Sequence, residues 1–232
     1  MPAGDFSSWL AEIVEAIRGE RTSDVPCDGC TACCTSSQFV HIDPSDADTL
    51  SHVSPKLRFP APFMPRGHFV LGYDERGHCP MMVDSHCTIY EHRPRTCRTY
   101  DCRVFRAAGI EADEDKVLIA RQARRWQFSF PTEADRILHA AVKAAAAFIR
   151  EHPDELPAGT APNNATRLAV LAIQLHHLFL QRDETPTRAT VVTPSAEVIR
   201  TEMMRLAGAR STEKTDGGEA RISRRPPLHR RR

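Results

Sequence analysis

Apolar residues near the start of the chain repeat with the three- and four-residue spacing of one helical face. They are Phe6, Trp9, Leu10, Ile13, Val14 and Ile17. A stripe with this period is typical of an amphipathic α-helix, and the glycine at position 19 can adopt the left-handed conformation that ends a helix. The pattern predicts an N-terminal amphipathic helix within residues 1–20.

Short patterned segments follow, separated by irregular stretches. Residues 39–42 have the character of a short strand, and Asp43-Pro44 carries the N-cap and first-turn chemistry of a helix that would run to about residue 53. Residues 68–83 alternate between apolar and polar positions around the turn sequence DERGH. This alternation predicts a β-hairpin.

Helical periodicity dominates the second half of the chain. It recurs near residues 113–128, 132–151, 163–181 and 194–208. Beyond Gly208 too little apolar surface remains to offset the entropy of ordering, which predicts a disordered tail. The predicted organisation is an N-terminal helix (1–20), a cysteine cluster segment (21–110), a helical region (111–208) and a basic tail (209–232). The predicted fold class is mostly α (α+β), with an irregular cysteine-rich core and a small β-hairpin ahead of a helical C-terminal half.

The composition is that of a globular chain, and its charges nearly balance, so the molecule has no strong overall electrostatic field. Hydrophobic residues make up 41% and charged residues 26%, and 31 basic against 30 acidic side chains leave a net charge of +1. The basic character belongs to the tail. The N-terminus lacks a secretory pattern, and no apolar run reaches the roughly 18–20 residues of a spanning helix. We therefore expect a cytoplasmic protein without membrane contact.

All eight cysteines lie between positions 27 and 102, and all are predicted metal ligands. They are Cys27, Cys30, Cys33, Cys34, Cys79, Cys87, Cys97 and Cys102. Two-residue spacers let a turn bring successive sulfurs within about 4 Å of each other around one ion, with metal–sulfur bonds near 2.3 Å. Because disulfides are rare in a reducing compartment, the run favours metal or cluster binding.

The adjacent pair Cys33-Cys34 constrains how the ligands are shared. Neighbouring side chains diverge, so the two serve different centres, or one of them is bridging, spare or reactive. Eight thiols suffice for two centres of four, with zinc or iron as the metal. The two-residue spacing also matches the first three ligands of a bacterial iron–sulfur run, and Cys79-Pro80 could supply the fourth from a distance. Because of this match, the prediction slightly favours an iron–sulfur cluster over zinc or iron ions.

Two motifs give the sequence a family resemblance. The segments CDGCTACC (27–34) and CTIYEHRPRTCR (87–98) resemble the CxxCxxCC cysteine cluster family, also called YkgJ-like, over residues 25–103. The resemblance implies a bacterial protein with a zinc- or iron-chelating domain. Members are often called iron–sulfur oxidoreductases, and a related cluster occurs in flagellin lysine methylases, yet no single reaction defines the family.

Polar neighbours of the cysteines raise weaker expectations. His78, His86 and His92 could bind zinc or iron, but with eight thiols present we expect them beside the ligands or in solvent. Nearby arginines could lower thiol pKa values, and Arg93 is expected to bridge a carboxylate or a carbonyl. Tyr90 is expected in the core with its hydroxyl paired.

Three functions remain open from these patterns. The leading hypothesis is a metal-binding protein that coordinates an iron–sulfur cluster, zinc or iron through the clustered cysteines. The second is a cluster-dependent oxidoreductase or group-transfer enzyme, which would need an open coordination position or a reactive thiol such as Cys34. The third is a zinc-scaffolded interaction module whose basic tail contacts nucleic acid weakly. Metal ions are the expected partners, together with a protein partner or substrate that the sequence does not identify.

Overall fold

The computed structural model describes residues 1–23, 25, 29–182 and 189–216. Helix outweighs strand, at about 49% against 13%, so the predicted mostly α, α+β class is confirmed. The helices are α1 (Phe6–Arg18), α2 (Ala47–His52), α3 (Arg95–Thr99), α4 (Arg103–Ala108), α5 (Val117–Arg124), α6 (Glu133–Glu151), α7 (Ala165–Leu175) and α8 (Ala196–Asp216). The strands are β1 (Pro2–Asp5), β2 (Val40–Ile42), β3 (Arg58–Pro60), β4 (Phe69–Leu71), β5 (Met82–Val83), β6 (His86–Cys87), β7 (Gln127–Ser129), β8 (Leu180–Arg182) and β9 (Ala189–Val191).

A large hydrophobic core lies among α1, α4, α5, α6 and α7. Helix α1 buries the stripe that predicted it and ends at Gly19, whose φ of 87° is left-handed. Thr132 caps α6 in a reciprocal capping box with Asp135, and the Asn164 side chain accepts a hydrogen bond from the amide of Arg167 at the start of α7. The helical predictions for the first and second halves of the chain are confirmed at these elements.

A smaller core lies under the cysteine-rich segment. It consists of Val40, Ile42, Val53, Leu71 and Ile89, with Cys79, Cys87 and Cys97 packed against it. The three-stranded sheet β2-β4-β3 covers this core, and both pairings are antiparallel. The loop that carries the first cysteines contacts both regions, because Ala32 packs against the large core and the carbonyl of Cys34 accepts a hydrogen bond from Cys79, which packs against the small core.

Two local predictions in this region are wrong. The helix begins at Ala47, not Asp43, because the Asp43 carboxylate accepts hydrogen bonds from the amide and hydroxyl of Ser45 and forms a separate turn. Strand β4 does not form a hairpin with residues 79–83, because β2 and β3 already occupy both its edges. The small hairpin lies at β5 and β6, joined by Asp84 and Ser85 with φ of 47° and 64°.

The remaining differences concern the ends of the helical region. Strand β7 follows the short helix α5 and pairs in parallel with β1, where a longer helix was predicted. Helix α8 runs to Asp216, past the predicted boundary at residue 208, and the rest of the predicted tail lies outside the described residues. Among the residues that the structure describes, no helix has the length and apolarity needed to cross a bilayer.

Candidate metal centres

Four cysteines from separate segments converge beside the small core, and we call this group site A: Cys34, Cys79, Cys87 and Cys97. Cys34 lies in a 3₁₀ turn, Cys87 in β6 and Cys97 in α3. The amide of Cys79 donates to the carbonyl of Cys34 at 2.7 Å, which joins the first cysteine run to the second. Nearby, Gly77 has a φ of 80°, and a Cβ there would overlap the Ser37 hydroxyl.

Cys34, Cys79 and Cys87 lie close enough to Cys97 to act on the pKa of its thiol. Burial, followed by the charges of Cys34, Cys79 and Cys87, raises the pKa of the Cys97 thiol to about 12. Burial and the charge of Cys87 likewise raise the pKa of Cys79. In each case a neighbouring thiolate opposes ionisation. A cation placed among these sulfurs would reverse that effect.

The described part of a second group, site B, consists of Cys30, Cys33 and Cys102. They line a cavity of about 20 Å³ together with Ala32, Ile119 and Gln122. Cys102 immediately precedes α4 and is buried in the large core, where Trp126 Nε1 donates to its sulfur at 3.1 Å. Cys33 and Cys102 also lie near the Tyr100 hydroxyl. Burial, followed by the charges of these two cysteines, raises the pKa of Tyr100.

The adjacent cysteines therefore separate as the sequence predicted. Cys33 turns towards the large core and Cys34 towards the small one, so the first alternative, one residue for each of two groups, describes the structure. The interpretation of Cys34 as a spare thiol is not favoured by this position. Cys27 lies outside the described residues.

A buried carboxylate positions α3, the helix that carries Cys97. Asp46 Oδ1 accepts hydrogen bonds from the amide of Arg95 at 2.9 Å and from Arg98 Nη2 at 3.1 Å, and its side chain is only 2% exposed. Sequence reasoning missed Asp46 because its partners lie about fifty positions away and no local pattern marks it. Arg98, predicted only as a basic neighbour, is thus part of this support.

The polar neighbours of the cysteines have mixed outcomes. Arg93 donates to the carbonyl of Tyr90 at 2.7 Å, as expected, and its charge lowers the pKa of Cys97 against the larger effect of burial. The expectation for Tyr90 is wrong, because its side chain is 53% exposed and stacks under the Arg93 guanidinium at 3.6 Å. His86 Nδ1 lies 2.7 Å from the carbonyl of Asp84, and His92 Nδ1 lies 2.8 Å from the Asp48 carboxylate.

Comparison with known families agrees with this geometry. Residues 26–121 match the CxxCxxCC family model, which is described as "Putative zinc- or iron-chelating domain". The matched segment contains the seven described cysteines of sites A and B, and Cys27 as well. The match over these residues confirms the family resemblance that the two motifs predicted. No curated protein and no solved structure matches the chain.

Proposed function

We propose that the chain binds zinc or iron through two thiolate centres, one at site A and one at site B, the latter completed by Cys27. The observation that carries the proposal is the convergence of Cys34, Cys79, Cys87 and Cys97 from four separate segments at one place beside the small core. Four thiols brought together in this way form a complete ligand set once a cation displaces their protons. Sets of four sulfur ligands suit zinc or iron–sulfur centres.

The two-residue spacing in the first cysteine run supports Cys27 as the fourth ligand of site B. Such a spacer brings successive sulfurs around one centre, and Cys30 and Cys33 already line the same cavity. Metal binding requires thiolates, so each centre would release protons as it forms and would stabilise the surrounding fold.

Single ions are favoured over iron–sulfur clusters at site B for two reasons. A cavity of about 20 Å³ holds little more than one water-sized group. In addition, the predicted iron–sulfur ligand set joined Cys79 to the first run, whereas Cys79 lies beside Cys34 in site A. We therefore propose a single zinc or iron ion at site B and retain an iron–sulfur cluster as the alternative for site A.

The test is the metal and acid-labile sulfide content of anaerobically purified full chain, together with its visible spectrum. Single ions at sites A and B predict at least two equivalents of zinc or iron without sulfide. The substitutions Cys97→Ser and Cys102→Ser should each remove one equivalent, because they remove one ligand from different centres. Serine at position 102 keeps an acceptor for Trp126, so the large core should remain folded.

His86→Gln is the matched control, because this histidine neighbours Cys87 but contacts a backbone carbonyl. It should retain both equivalents. Iron with stoichiometric sulfide and a broad brown absorption would replace the single-ion assignment with a cluster. Loss of all metal from either cysteine variant alone would contradict two separate centres, and a wild-type chain without metal would contradict the proposal itself.

A further inference from the structure

The register of the small sheet brings three potential metal ligands to one face. In the pairing of β2 with β4, His41 lies opposite Val70 and Ile42 opposite Phe69. Continuing this register places Asp43 opposite His68. Because side chains alternate along a strand and directly opposed residues share a face, His41, Asp43 and His68 all project to the same side.

The distances among these side chains agree with the register. His41 Nε2 lies 3.0 Å from His68 Nδ1, and that same nitrogen lies 3.7 Å from Asp43 Oδ2. One ligand atom from each residue lies within 4.8 Å of the other two. Two ligands bound at about 2.1 Å to one ion are themselves about 3.0–3.4 Å apart in octahedral or tetrahedral geometry.

This triad is separate from the thiolate centres. Val40 and Ile42 alternate with His41 and Asp43 along β2, and they face the small core against which the site A cysteines pack. The triad therefore lies on the opposite face of β2. Any ion that it binds is held by nitrogen and oxygen atoms and not by sulfur.

The triad is also oriented and open to solvent, as a metal site requires. Asp43 Oδ1 accepts hydrogen bonds from the amide and hydroxyl of Ser45, which leaves Oδ2 towards His68. Hydrogen bonds of this kind orient ligating carboxylates. The His68 side chain is 12% exposed and that of Asp43 40%, so water can reach the remaining coordination positions.

We propose that His41, Asp43 and His68 form a third metal site, which binds a divalent first-row transition ion such as Zn²⁺ or Fe²⁺. Two imidazoles and one carboxylate with open positions are a ligand set used by zinc and by non-haem iron. In the metal-free chain one proton lies between the two imidazole nitrogens, and the ion would take its place. The site would then hold water or a small ligand at its open positions.

Cobalt(II) is the probe, because its visible spectrum separates the two kinds of site. The full chain is first given two equivalents of Zn²⁺ to fill the thiolate centres, and Co²⁺ is then titrated in. We expect one equivalent of cobalt with weak visible bands and without sulfur-to-cobalt charge transfer. Cobalt added to the metal-free chain would instead bind the thiolate centres and give that charge-transfer band. The two titrations therefore test the thiolate centres and the triad separately, and either assignment can fail without the other.

Variants locate the nitrogen- and oxygen-bound cobalt. His68→Gln should abolish it, and Asp43→Asn, whose amide oxygen can still accept from Ser45, should weaken it at least about tenfold. The matched control is His52→Gln, since His52 lies with Asp48 and His92 in a second cluster of potential ligands, in which Asp48 and His52 are exposed and His92 is half-buried. Undiminished cobalt binding by both His68→Gln and Asp43→Asn, or an equal loss in His52→Gln, would overturn the proposal.

Discussion

At the scale of single residues, the buried carboxylate of Asp101 joins the N-terminal helix to the residues around Cys102. Asp101 accepts hydrogen bonds from Trp9 Nε1 at 2.9 Å and from Ser23 Oγ at 3.2 Å, and it forms an ion pair with Arg103 at 2.8 Å. The two side chains of the pair are 0% and 8% exposed. Removing one charge would therefore leave the other desolvated without a partner, which is costly.

We predict that Asp101→Asn lowers the free energy of unfolding by about 3 kcal/mol or more, because it leaves the buried Arg103 guanidinium uncompensated. Urea unfolding of the metal-loaded chain measures the change. The control is Glu111→Gln, which breaks the pair with Arg124 where both side chains are more than half exposed. That variant should lose less than about 1 kcal/mol. Equal losses in the two variants would contradict the assigned role of Asp101.

A second prediction at this scale concerns the pH dependence of metal binding at site A. Burial and neighbouring thiolates raise the pKa of Cys97 to about 12, and burial raises that of Cys79, so both thiols carry protons at neutral pH. Binding expels these protons, and affinity must rise with pH by about tenfold per unit for each proton released. Competition with a zinc chelator across pH 6.5–7.5 should give a release of at least two protons.

Cys97→Ser is the control for this pH dependence, because it loses the site A metal and the chelator competition that it still shows reports site B alone. The proton release of the wild-type chain in excess of that of the variant belongs to site A and should be at least two protons. A wild-type affinity that is independent of pH would mean that the thiols are already ionised. That outcome would contradict both the burial argument and the mutual repulsion of the sulfurs.

At the scale of elements, the hairpin of β5 and β6, which carries Cys87 in β6, has a strained turn. Asp84 and Ser85 both have positive φ, which side chains other than glycine adopt at a cost. Ser85→Gly should therefore raise the free energy of unfolding, by about 1 kcal/mol. Thermal unfolding of the metal-loaded chain measures it. The same change at Ser51, in helix α2, should instead destabilise the chain, and destabilisation by both would contradict the strain at Ser85.

The same elements show how far local sequence determines this fold. Helices α1, α6 and α7 were predictable because their apolar period and their cap residues are local signals. The pairing of β1 with β7 was not, since it joins residues more than a hundred positions apart and β1 has no strand-like alternation. Strand β4 was assigned the wrong partner because the alternation of residues 68–83 does not distinguish the segment that follows β4 from β2 and β3, with which β4 pairs.

The candidate sites likewise combine a feature that local sequence predicts with features that depend on tertiary contacts. The divergence of Cys33 and Cys34 follows from their adjacency, and one of the two alternatives that it left open, a separate group for each residue, describes the structure. Which cysteine of the second group joins each of them depends on the amide of Cys79 reaching Cys34, a contact that only the tertiary structure provides. The triad of His41, Asp43 and His68 was equally hidden, because it forms across strands.

At the scale of the whole molecule, the two cores differ in what holds them together. The large core joins several helices through extensive apolar packing, including Trp126, Phe6 and Phe105. The small core has five buried side chains, and three cysteines of site A complete its surroundings. A core of that size buries little apolar surface and gains little hydrophobic free energy, so it needs another source of stability. Metal at site A would provide that source.

We predict that removing metal unfolds the small core while most of the large core persists. Structural zinc binding is worth roughly 10–16 kcal/mol in small peptides, as much as the whole stability of a typical domain, about 5–15 kcal/mol. After chelation, amide hydrogen exchange should become fast in β2, β4 and the β5–β6 hairpin but stay slow in α6 and α7. A chelator already saturated with zinc is the control and should change neither region. Slow exchange that persists at Val40 and Leu71 in verified metal-free protein would show that the small core is stable without metal.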